Sequence, residues 1–95
     1  MRLVLPAECR FGLGTIVVTS AAVAKLSEAA ISGALYRHAA CDWGDLCEQD
    51  RRANDQSLVN GGRLFSVYRD AVGTRFYVIT EWDGSVTTVL LPEDY

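Results

Sequence analysis

His38 is the single histidine in 95 residues, and the side chains near it are the ones whose types could do chemistry. Asp42 follows it by four positions, with Cys41 and Cys47 close by. A histidine base, an orienting carboxylate and a thiol are the parts of a cysteine hydrolase. Cys9, His38, Cys41 and Cys47 also make a Cys3His set, a donor set used by structural zinc. Zinc sites usually pair their ligands at C-x2–4-C spacing. Here His38-x2-Cys41 is the one close pair and Cys41-x5-Cys47 is too open, so neither a metal nor another cofactor is expected. Carboxylates pair on paper as Asp42 with Asp45, Glu81 with Asp83, and Glu93 with Asp94. Glu81 falls at a predicted strand end, where a general base could sit. The enzyme reading is therefore a small catalyst using His38 with Cys41 or Glu81.

Each of these residues has a plainer role. Cys41 follows Ala39-Ala40 and suits small apolar filling. Asp83 precedes Gly84 and suits turn chemistry, and Glu93-Asp94 suits a solvated tail. No catalytic motif stands above this background, and the expectation is a non-enzymatic protein.

The segment Asp42-Trp43-Gly44-Asp45 carries a different signal. A tryptophan between aspartates and glycine suits a partner anchor, because tryptophan is enriched at interface hot spots. It equally suits a lid on the sheet, packed on Trp82 or Tyr36. The polar helix that follows adds Glu48, Asp50, Arg51, Arg52 and Asp55. With Asp42, Trp43 and Asp45 these make the predicted partner-binding surface. Glu48 and Arg52 form an i,i+4 pair in the favourable order, worth a few tenths of a kcal/mol, on the order of 0.3.

Composition narrows the partner. Nine basic and twelve acidic side chains give a formal charge of −3. Sequence-independent nucleic-acid binding needs a basic patch, so direct nucleic-acid binding is not expected. No apolar run approaches the ~20 residues of a membrane span. An odd number of irregularly spaced cysteines and the short apolar run at Met1–Leu5, cut by Pro6, point to a reduced cytoplasmic protein without a signal peptide. With 49% hydrophobic residues the chain can build one modest core.

The elements that must position these residues read β-α-α-α-β-β-β in a single domain, residues 1–95. Met1 to Cys9 is an extended lead-in or a short edge strand. A strand is predicted over 13–18, central because its run is apolar throughout. Gly12 and Gly14 precede this strand, whereas a dinucleotide fingerprint follows its strand. They fit a bulge or a close backbone approach. Thr19 or Ser20 caps a helix over 21–30, Ser32 caps a second over 34–40, and a third runs from Leu46 to Val59 with Leu46, Ala53, Leu58 and Val59 inward. Strands follow at 63–69, 75–82 and 85–91, with turns at Asp70–Thr74 and Trp82–Ser85. They form an antiparallel meander. The fold class is α+β: a four-stranded, mostly antiparallel sheet with helices packed on one face. Alternation puts Phe65, Val67, Phe76, Val78 and Leu90 on one side. Leu64, Tyr68, Tyr77, Ile79, Val89 and Leu91 fall on the other, so either helices cover both sides or the second face makes a homodimeric scaffold.

Three segments carry a family resemblance: DWGDL (42–46), S-L-x-x-G-x-R-L-F-S-x-Y (Ser57 to Tyr68), and ITE (79–81) followed by TTVLLPEDY (87–95). The chain resembles small bacterial plasmid-related proteins, some of them described as a type I restriction subunit, over most of residues 13–95. A methyltransferase subunit of such a system would need a cofactor-binding domain several times this size, and its motifs are missing here. The resemblance implies a mobile-element setting near conjugation and defence genes, where small acidic proteins include anti-restriction and anti-CRISPR inhibitors. The matching positions Asp42, Trp43, Gly44, Arg63, Glu81, Thr87 and Thr88 can serve folding or recognition.

Overall fold

The computed structural model describes Leu5, Pro6 and residues 11–95. The lead-in predicted over Met1 to Cys9 therefore lies, Leu5 and Pro6 apart, outside the described residues. The elements run β1 (Thr15–Val18), α1 (Ser20–Lys25), α2 (Glu28–Ala39), α3 (Glu48–Asn60), β2 (Leu64–Arg69), β3 (Arg75–Thr80) and β4 (Val86–Leu90), closed by a 3-10 turn at Pro92–Asp94. This is the α+β order read from the sequence. The sheet order is β1-β4-β3-β2, with β2-β3-β4 an antiparallel meander and β1 parallel to β4.

The apolar run of β1 had suggested a central strand, yet β1 lies at the edge. Its sequence is apolar because Ile16 and Val18 join the core while Val17 is exposed, 43% of its surface in solvent. Gly14 supplies the close approach: at φ +65°, a Cβ there would sit 2.4 Å from the carbonyl oxygens of Gly84 and Ser85. The Thr15 amide can then donate to Ser85 at 2.9 Å and start the parallel ladder.

The helix break comes earlier than the Ser32-Gly33 pair suggested. Thr19 caps α1 by accepting from the Ala22 amide, and Ser27 caps α2 by accepting from the Ala30 amide. Gly33 stays inside α2, in open space. α2 ends in a Schellman turn, with the Asp42 amide donating to Arg37 and the Cys41 amide to His38. Cys41 holds the left-handed position at φ 63°.

The meander register corrects the predicted faces. Arg69 lies opposite Arg75, so Tyr68 opposes Phe76 and Ser66 opposes Val78. Phe76 and Val78 thus share a face with Tyr68, Val89 and Leu91, and Ile31, Leu35 and Ala39 of α2 close over them as the main core. Alternation was read correctly within each strand, but β3 was placed one residue out of phase, which exchanges its two faces. On the opposite face, Phe65 and Tyr77 lie 5.0 Å apart between ring centres, with the ring of Tyr95 against both.

Candidate functional site

His38 lies on the inner side of α2, fully buried, above a polar stripe that crosses β2, β3 and β4. Its Nδ1 is 2.5 Å from Ser66 Oγ and its Nε2 is 3.0 Å from Thr80 Oγ1. Thr80 Oγ1 is 2.7 Å from Thr87 Oγ1, and the Thr87 hydroxyl donates to the Leu13 carbonyl at 2.6 Å. That carbonyl can only accept, so it sets the direction of the whole chain. Thr87 donates to Leu13, Thr80 to Thr87, His38 Nε2–H to Thr80, and Ser66 to His38 Nδ1. Histidine is thereby held as the neutral Nε2–H tautomer. Burial pushes its pKa down to about 3. Among the described residues no buried side-chain polar atom lacks a partner.

Ser66 and His38 have the spacing of a nucleophile and its base. Both are fully buried, however, and the second ring nitrogen meets a hydroxyl instead of a carboxylate. The pairs read from sequence, His38 with Cys41 or with Glu81, are not the partners of this ring. Cys9, the fourth member of the Cys3His set, lies outside the described residues.

Trp43 is buried, 3% exposed, which corrects its reading as a surface anchor. The lid reading holds with different partners. Its ring lies 5.5 Å from the His38 ring and 6.2 Å from Phe11, while Trp82 and Tyr36 are both exposed. The flanking residues explain this placement. Asp42 makes a two-pronged ion pair with Arg37 at 2.8 and 3.2 Å, and that bond holds the Asp42 carboxyl below its usual range. Asp45 pairs with Arg69 at 3.1 Å. Arg51 turns back to donate to the Leu46 and Gly44 carbonyls. Asp42, Asp45 and Arg51, predicted as partner contacts, thus tie the loop to the fold. Gly44, at φ +72°, bridges to Val67, and a Cβ there would sit 1.9 Å from the Val67 oxygen.

The same loop and α3 seal the outer edge of β2. The Val67 amide donates to Trp43 and the Asp45 amide to Val67. One step along, the Asn54 carboxamide donates to the Phe65 carbonyl at 2.7 Å and accepts from the Phe65 amide at 3.1 Å. A primary amide copies a backbone peptide, so Asn54 completes the ladder where no strand stands. Asn54 is the buried residue of α3. Ala53 and Val59, expected to face inward, are exposed, Leu58 is half-buried, and Leu46 is buried just before the helix.

What remains open to a partner is the outer side of α3 and its C-terminal end. Glu48, Asp50, Arg52 and Asp55 are exposed, with Glu48 and Arg52 paired at 3.3 Å. At the helix end, Val59 is 81% exposed and Trp82 73% exposed. A cavity of about 140 Å³ lies beside Trp82, lined also by Phe11, Leu58, Leu64, Thr80 and Glu81. Trp82 was read as a strand end, as part of a turn and as one packing partner of a Trp43 lid, not as a partner contact. The signal available in sequence was its position beside Asp83-Gly84, since a residue flanking a tight turn is presented to solvent. Comparison of the chain with family models, curated proteins and solved structures returned no match. None of the described helices is long and apolar enough to cross a membrane.

Proposed function

We propose that this protein is a non-enzymatic interaction protein of a mobile genetic element that inhibits a host defence or DNA-processing complex by binding one of its proteins. The observation that carries the binding reading is Trp82, a large apolar side chain that stands in solvent and lines the cavity at the end of α3, with the exposed Val59 on the same helix end. An exposed tryptophan beside a recess is the usual centre of an interface hot spot. Glu81 lines the recess and Asp83 follows Trp82 in the β3–β4 turn, while Glu48, Asp50 and Asp55 stand exposed further back along α3, on a chain of net charge −3. These acidic side chains complement a basic groove of the kind that handles nucleic acid. The mobile-element setting comes from the resemblance of the DWGDL and TTVLLPEDY segments.

The test is an affinity pull-down with tagged protein from nuclease-treated lysate of a bacterium that carries such elements, run beside Trp82→Ala. The expected result is one stoichiometric protein retained by the native chain and lost at least tenfold by the variant. Recovery that disappears on nuclease treatment, or that Trp82→Ala leaves unchanged, contradicts the proposal.

A further inference from the structure

The two edges of the sheet are treated differently. On β2 the outward backbone groups of Phe65 and Val67 are all taken, by Asn54 and by residues 43–45. On β1 the amides of Thr15 and Thr19 donate to Ser85 and Val89 of the β4 side. Strand residues alternate in direction, so Val17 also faces β4 while Ile16 and Val18 aim their N–H and C=O groups away from the sheet. Among the described residues nothing bonds those outward groups. Natural edge strands are guarded by lysine, proline, a bulge or an inward charge. The β1 sequence Thr-Ile-Val-Val carries none of these, and Val17 stands exposed on it.

We infer that two copies of this chain pair through β1, antiparallel and edge to edge, into one continuous sheet. The occupant follows from the asymmetry. A chain with one open edge and one sealed edge closes after a single pairing, whereas two open edges would extend into a fibre. The strand is also complementary to itself. About a two-fold axis at Val17, Ile16 of each copy exchanges both backbone bonds with Val18 of the other. The two Val17 side chains then meet across the axis as a close non-hydrogen-bonded pair. No charged residue of β1 opposes another. Paired four-residue strands bury less than the ~1,200 Å² of a standard interface, so the dimer is a weak one that forms and dissociates with concentration. The pairing rests on the backbone of Ile16 and Val18 and the proposed partner surface on the Trp82 side chain and its recess, so the two can fail independently.

Sedimentation velocity over a range on the order of 1 to 200 µM, where weak association is read, is expected to show a concentration-dependent shift from monomer to dimer and no larger species. Val17→Lys sets two ammonium groups across the axis and should weaken the dimer at least tenfold with an unchanged far-UV circular dichroism spectrum. Hydrogen exchange of the native chain gives a readout that needs no variant: the Ile16 and Val18 amides should slow as concentration rises, while Thr15 and Val17 stay slow throughout. A monomer over the whole range, open-ended assembly, or Ile16 and Val18 amides indifferent to concentration overturns the inference.

Discussion

The hydrogen-bonded chain through His38 makes stability depend on pH in a window that no other side chain of its type shares. An imidazole in an unfolded chain titrates near ~6.5, and burial holds that of the folded protein at about 3. The folded state therefore disfavours the proton, and the unfolded state takes it up as pH falls. Stability is full above the unfolded value, begins to drop below pH ~6.5 and continues to drop towards pH ~3. At pH 5 the difference is about 1.5 pH steps at ~1.36 kcal/mol each, or about 2 kcal/mol. Asp42 is held below the usual carboxylate range by Arg37, so its own contribution begins to be lost only below the unfolded value of about 3.9, outside the interval from pH 7 to pH 5. The geometry gives the same sign. A protonated ring must donate from Nδ1, where Ser66 already donates, and the Ser66 hydrogen is left without an acceptor. Urea midpoints at pH 7, 6 and 5 measure the effect. His38→Gln removes the titrating ring, and its carboxamide cannot reach Ser66 and Thr80 with the spacing of the two ring nitrogens. It should cost about 1–3 kcal/mol at pH 7 and flatten the pH slope. A native midpoint that does not move between pH 7 and pH 5, or a glutamine variant with the native slope, refutes the reasoning.

Four further substitutions separate the structural roles. Trp43→Ala empties the lid over His38 and should cost about 3–5 kcal/mol, read as a lowered thermal midpoint and loss of near-UV circular dichroism. Asn54→Ala strips both partners from Phe65 and should cost about 1–3 kcal/mol, with the Phe65 amide exchanging faster than its neighbours on β2. Glycines 44 and 33 should respond in opposite senses. Gly44→Ala meets left-handed strain of about 1–3 kcal/mol plus the clash with Val67, whereas Gly33→Ala, in open space within α2, should stabilise by about 0.5–1 kcal/mol. Urea midpoints of the two variants decide it.

The meander was legible because its turns announce themselves, Asp83-Gly84 above all, and because the β-branched and aromatic runs alternate. Its phase was not, since one residue in the length of the 70–74 loop exchanges the faces of β3 and no local signal reports it. The edge position of β1 was hidden for a related reason: a strand with Ile16 and Val18 inward and Val17 outward looks the same as a central one when all three are apolar. The site divides along the same line. Charges whose partners are near in sequence, such as Glu48 with Arg52, could be read. Asp45 with Arg69 and Asn54 with Phe65 depend on where the 42–46 loop meets β2, and composition carries no trace of that. Trp43 and Trp82 exchanged their expected roles because burial is set by what surrounds a residue. The aspartates beside Trp43 face outward to Arg37 and Arg69, which leaves the indole directed inward.

The central claim is that Trp82 and the end of α3 form the partner surface, and hydroxyl-radical footprinting of the protein with its recovered partner tests it most directly. Trp82 is well exposed in the isolated chain, so its oxidation should be fast alone and slow several-fold in the complex, with Val59 protected alongside it. A complex in which Trp82 oxidises at the free rate while other surface residues are shielded would place the interface elsewhere and contradict the account.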